Sequence, residues 1–183
     1  MRIYIYMNTN IVDYVFTKIG DKLNPTFYKL GITPNFITLC SFVFGLLSSF
    51  LFYKDYRTFA GMIFILNYFF DCLDGNYARK YNMVSKFGDL LDHMTDMIVF
   101  TIILFIMYKK NSELFVYLIP AFAFISFMAV IDIGCREKVI NNNSSILNFT
   151  KVYCVNNTLN TISSYLSCGF MNILIMLIIL FYN

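Results

Sequence analysis

The sequence predicts an all-α, polytopic membrane protein: a bundle of five transmembrane helices preceded by an N-terminal amphipathic surface helix. Three observations predict it. Hydrophobic residues make up 58% of the 183-residue chain and charged residues 14%, where a soluble domain carries about a quarter charged residues. Five stretches are apolar over about the twenty residues that a bilayer crossing takes. Tyr53, Tyr108 and Tyr182 stand at the ends of such stretches, the place of interfacial aromatics. The net charge of +3 supplies no basic field for nucleic acid.

Residues 1–34 form the entry to a single domain, and 35–183 form its bundle. The opening MRIYIYMNTN lacks the apolar core and small-residue cleavage site of a secretory signal. The first span is therefore expected to act as a retained signal. Ile11–Leu23 places Val12, Val15, Phe16, Ile19 and Leu23 on one helical face, and Asp13, Thr17, Lys18, Asp21 and Lys22 on the other. This pattern suits a helix lying in the membrane surface. Pro25, Gly31 and Pro34 are expected to turn the chain.

The expected spans are roughly Phe36–Tyr53, Thr58–Tyr77, Phe87–Tyr108, Leu114–Gly134 and Ile162–Tyr182. Between the last two, Cys135–Thr161 is polar and rich in asparagine, fitting a loop, a surface helix or a degraded span. The five cysteines form no Cys-x-x-Cys pair and read as small apolar residues rather than a disulfide framework.

Orientation follows from Lys and Arg. With the Asp71–Asp96 stretch facing the cytoplasm, ten of the fourteen fall on the cytoplasmic side, as the positive-inside rule favours. The N-terminus is then cytoplasmic. So is the segment carrying Asn142, Asn143, Asn148 and Asn156, each in an Asn-x-Ser/Thr pattern, which should therefore stay unglycosylated.

The chemistry concentrates in DCLDGNYARKYNMVSKFGDLLDHMTD, Asp71 to Asp96, which holds five of the chain's eleven acidic residues. On a helix, Asp71, Asp74, Gly75 and Ala78 share a stripe. On the next helix, Asp92 and Asp96 share a face, with Ser85, Gly88 and Asp89 near it. Two antiparallel neighbours can point these four aspartates at one another. Carboxylates so placed in or beside a hydrocarbon layer repel and are poorly solvated, and divalent cations would neutralise them. Oxygen ligands suit Mg²⁺ or Mn²⁺, and the spacing allows a two-metal clamp for phosphoryl chemistry. Arg79, at the membrane exit, can hold a phosphate through two parallel hydrogen bonds. Gly75, Ala78 and Gly88 leave room against the backbone, or serve as packing contacts.

The pattern D-x-x-D-G-x-x-A-R-x₈-G-x₃-D-x₃-D resembles the signature of the CDP-alcohol phosphotransferases. It is matched without a gap by Asp71, Asp74, Gly75, Ala78, Arg79, Gly88, Asp92 and Asp96. TPNFIT, Thr33 to Thr38, resembles the stretch that opens the first span in many members. The resemblance covers about a third of the chain. It implies an integral membrane enzyme of phospholipid synthesis that moves a substituted phosphate from a CDP-linked donor to an alcohol and releases CMP. It further implies two metal ions on Asp71, Asp74 and Asp92, with Asp96 reaching one of them and acting as general base. Asn35, Phe36, Ile37, Thr38, Gly75, Ala78, Arg79, Ser85 and Gly88 would line the site of the CDP-linked donor. A homodimer and six spans are implied as well, against the five visible here.

CDP-diacylglycerol with a small polar alcohol is the favoured substrate pair, because the chain is short like the members that use it. His93 follows Asp92 and points instead to a choline or ethanolamine phosphotransferase acting on diacylglycerol. Its default role is beside the site rather than in it. The lack of a basic residue after Asp96 argues against inositol as acceptor. Asp89 serves the site or the helix N-terminus, and Asp132, with Arg136 and Glu137, lines the acceptor pocket or forms an interfacial cluster. A divalent-cation transporter would also need intramembrane aspartates, but it gives no reason for the fixed register of Gly75, Ala78, Arg79 and Gly88.

Overall fold

The computed structural model describes residues 11–140 and 163–182. Six helices account for almost all of them: α1 (Ile11–Lys29), α2 (Pro34–Tyr53), α3 (Arg57–Lys80), α4 (Lys86–Lys110), α5 (Ser112–Ile140) and α6 (Cys168–Phe181). No strand occurs among the described residues. Three helices are long and apolar enough to cross a membrane: Pro34–Tyr53, Lys86–Lys110 and Ser112–Cys135. α3 has the length, at 24 residues, but carries the aspartates. The expected fifth span, Ile162–Tyr182, is not one helix. The chain leaves helical geometry at 166–167, and the 14 residues of α6 rise only about 21 Å. Ser167, extended at φ −66° and ψ 169°, starts α6 afresh. The Asn-x-Ser/Thr sites lie outside the described residues.

α2 and α3 pack antiparallel along a stripe of small residues. Ser41 Oγ donates to the Asn67 carbonyl at 2.9 Å, and Asn67 Nδ2 donates back to the Ser41 carbonyl at 3.0 Å. Ser48 Oγ donates to the Ala60 carbonyl at 2.8 Å. A Cβ on Gly45 would fall 2.6 Å from Val99, so glycine there lets α2 meet α4. Small and hydroxylic residues hold helices together where lipid removes the hydrophobic drive. Phe52, Phe64, Val99, Ile103, Met107, Phe122, Met171 and Ile175 form the main buried cluster, and Ile37, Leu73 and Tyr77 form a second.

α1 departs from its sequence reading at its end. It does not stop at Leu23 but continues through Pro25 to Lys29. Proline deprives the Asp21 carbonyl of its helical partner, and Lys80 Nζ donates to that carbonyl at 3.4 Å and to Asp21 Oδ1 at 2.7 Å. The inward side of α1 is made of small and polar residues together with Phe16. Gly20 and Asn24 are buried, Asp13 and Phe16 half-buried, and Val15, Ile19 and Leu23 exposed. Phe16 meets Tyr68 and Phe69 edge-on, Gly20 lies against Leu73, and Tyr28 stacks on Tyr81. α1 thus runs along the second half of α3 in the same direction. The exposed Val15, Ile19 and Leu23 belong to the apolar face that the sequence analysis expects in the membrane surface.

Cys40, Cys72 and Cys168 are free thiols, as expected of small apolar fillers. Cys135 is not one: it is disulfide-bonded. At the other end of the bundle, Lys110 Nζ donates to Asp55 Oδ1 at 2.5 Å and Arg57 reaches it at 3.4 Å. This ties the α2–α3 turn to the end of α4. Tyr182 Oη closes α6 onto the same end by donating to the Asn111 carbonyl at 2.7 Å.

Candidate active site

α3 and α4 bring Asp71, Asp92 and Asp96 together, with one oxygen of each lying within 4.8 Å of the others. Asp92 Oδ1 is buried and has no protein partner. A buried carboxylate oxygen left so is costly, and a cation is the group that three converging carboxylates satisfy. The residues present fit a divalent metal.

Asp74 is held differently. It is 4% exposed, and its Oδ2 accepts the Thr38 hydroxyl at 2.5 Å. Thr38 also reaches the Pro34 carbonyl at 3.2 Å. Of the TPNFIT stretch, Thr33 caps α2 by accepting from Phe36 N at 3.3 Å. Phe36 points outward, and Ile37 is in the core. Asn35 Oδ1 lies 2.9 Å from where a Cβ on Gly88 would stand. The glycine admits the asparagine. Thr38 as the orienting partner of Asp74 was not foreseen, although Thr38, Ser41, Gly45 and Ser48 are spaced at three and four residues and mark an inward helix face.

The space above Gly75 is not open. A Cβ there would stand 3.2 Å from Nη1 and 3.3 Å from Nη2 of Arg79, so the guanidinium folds back across Gly75. Ala78 is half-buried on the same helix. Ser85 caps α4 by accepting from Gly88 N at 3.0 Å, the task its Oγ performs here. His93, Asp89 and Arg79 also lie near Asp92. Asp89 Oδ1 lies 3.7 Å from His93 Nε2, an ion-pair separation rather than a hydrogen bond. Asp132 is buried on α5, and the side chains of Arg136 and Glu137 lie outside the described part.

A helix pair thus gathers carboxylates between apolar spans, with a guanidinium folded beside Gly75. Residues 31–182 match the CDP-alcohol phosphatidyltransferase family, and the chain belongs to that family. Three apolar helices and this membership mark an integral membrane protein. The chain is 41% identical over 85 residues to an archaetidylinositol phosphate synthase of Pyrococcus horikoshii, covering 46% of this chain and 45% of that protein. It is 29% identical over 82 residues to a CDP-diacylglycerol–glycerol-3-phosphate 3-phosphatidyltransferase of Rickettsia typhi, covering 43% and 46% respectively. The matched region thus spans less than half the length of these relatives. No solved structure gives a significant match.

Proposed function

We propose that this protein transfers a substituted phosphate from a CDP-linked donor, CDP-diacylglycerol, to a small polar alcohol and releases CMP. The observation that carries this reading is the convergence of Asp71, Asp92 and Asp96 with the orphaned Asp92 Oδ1. Asp71, Asp74, Asp92 and Asp96 would hold two divalent ions, Mg²⁺ or Mn²⁺. When bound, such ions neutralise the pyrophosphate and the developing charge on leaving CMP.

The chain's own residues do the rest. Arg79 pairs with a donor phosphate through its fork of N–H groups. Gly75 lets the guanidinium lie close to the helix, and Asn35 with Gly88 shapes the opposite wall. Thr38 fixes the Asp74 carboxylate. Asp96 takes the proton of the acceptor hydroxyl as its oxygen bonds to the lipid-bearing phosphorus and the bond to CMP breaks. The names of the relatives, one a phosphatidyltransferase using CDP-diacylglycerol, support this donor. The basic residues favour a cytoplasmic site in a multi-pass bundle, and a homodimer accords with the family resemblance.

The test incubates purified protein with labelled CDP-diacylglycerol, CDP-choline or CDP-ethanolamine, a panel of alcohols including diacylglycerol, and Mg²⁺ or Mn²⁺. CMP release with CDP-diacylglycerol and a polar alcohol is expected. Metal flux into proteoliposomes without CMP release from any donor would replace this reading with a transporter.

A further inference from the structure

Asp13 carries the inward stripe of α1 to the level of the acidic cluster. Its Oδ1 accepts the Tyr68 hydroxyl and lies 3.8 Å from Cys72 Sγ. The same carboxylate rests on the first turn of α6. A Cβ at Gly169 would fall 2.7 Å from both Asp13 oxygens and 2.6 Å from Tyr68 Oη. Glycine at 169 is what admits the pair.

A helix N-terminus favours a negative charge. Ser167, the N-cap of α6, makes no capping bond with its side chain, and its Oγ is buried and unpartnered. The Asp13 carboxylate therefore supplies the anion at this helix end.

Tyr68 and Cys72 stand three residues before and one residue after Asp71. Holding both from α1 fixes the rotation of that turn of α3, and with it the direction in which Asp71 projects. We infer that Asp13 is a positioning residue for Asp71, which makes α1 part of the scaffold of the site. The inference rests on the reading of Asp71, Asp92 and Asp96 as the metal-holding group.

The experiment uses the full chain in lipid nanodiscs and reads Mn²⁺ binding by electron paramagnetic resonance, with CMP release from CDP-diacylglycerol measured in parallel. Asp13→Asn, Tyr68→Phe and Gly169→Ala are compared with Val15→Ala, a change on the outward face of α1. The first three are expected to weaken Mn²⁺ binding about tenfold, the usual effect of losing a group that orients a metal ligand. Turnover should fall with the donor KM within about twofold of wild type, and Val15→Ala should change neither. The double variant Asp13→Asn/Tyr68→Phe should be no worse than its worse parent, because both act through one contact. Unchanged Mn²⁺ affinity in Tyr68→Phe and Gly169→Ala, or additive losses in the double variant, would overturn the inference. Tyr68→Phe keeps the ring and so keeps the test open if another variant fails to fold. A wild-type protein that binds Mn²⁺ but releases no CMP would sink the proposed function, while the Mn²⁺ data would still decide the role of Asp13.

Discussion

Thr38 and Asp74 lie 36 residues apart in the chain, yet the Thr38 hydroxyl donates to Asp74 Oδ2 at 2.5 Å across the α2–α3 interface. The first turns of α2 thus steer one of the site's carboxylates. A hydrogen bond to a charged group contributes about 1.5–3 kcal/mol. Thr38→Val should therefore lower turnover by roughly ten- to a hundredfold, and Thr38→Ser should retain most of it. Equal rates in Thr38→Val and wild type would show that Asp74 needs no orienting partner.

The closeness of Gly75 to the Arg79 guanidinium makes a second expectation. A methyl group at 75 meets Nη1 at 3.2 Å, so the fork must shift by a few tenths of an ångström. Gly75→Ala should raise the donor KM several-fold. Arg79→Lys should raise it further, since lysine keeps the charge and loses the two-pronged geometry. In an Arg79→Ala background, Gly75→Ala should add nothing. Independent effects of the two in steady-state kinetics would separate Gly75 from the guanidinium.

Asp96 and Asp71 should fail in different ways. Asp96→Asn keeps the shape and removes the proposed base, so turnover should drop by at least about a hundredfold while donor binding survives in part. Asp71→Asn should lose both. CMP release and donor affinity, measured side by side, decide this. Normal turnover in Asp96→Asn would move the base to Asp89 or Asp132.

Lys80 should matter more than its exposure suggests. An exposed ion pair contributes about 0.2–1 kcal/mol, but Lys80 also serves the Asp21 carbonyl left unpaired by Pro25. Lys80→Met should lower the melting temperature. It should lower it less in a Pro25→Ala background, where a backbone N–H restored at position 25 takes over that carbonyl. An identical shift in both backgrounds would leave Lys80 with its ion pair alone.

The Asp55 contacts predict a pH effect. Lys110, first by hydrogen bond and then by charge, with Arg57 adding to it, holds the Asp55 carboxyl below its ordinary value of 3.8. A depressed folded-state pKa adds stability above the ordinary value, and that stability is lost as pH falls through the depressed one. The advantage of wild type over Asp55→Asn in thermal unfolding should be present at neutral pH and vanish on acidification below that range. Asparagine tolerates the positive φ of 64° at this position, so the comparison isolates the charge. A gap that persists in acid would assign it to packing.

The sequence by itself determined the helical class, the apolar segments α2, α4 and α5, and the family, because the eight signature positions lie within 26 contiguous residues of two consecutive helices. Helical spacing alone gathers such residues onto facing stripes, so Asp71, Asp92 and Asp96 were legible before any packing was known. The break at Ser167 and the disulfide of Cys135 were not, since apolar composition reports neither a helix break nor thiol pairing. Tertiary structure alone decided which residues of α1 turn inward: Gly20 and Asn24 are buried and Asp13 and Phe16 half-buried, while Val15, Ile19 and Leu23 stay exposed. It also decided that Thr38 holds Asp74 and that Asp13 meets Tyr68 and Gly169. Those contacts join residues 36, 55 and more than a hundred positions apart, and no periodicity within a single helix encodes them.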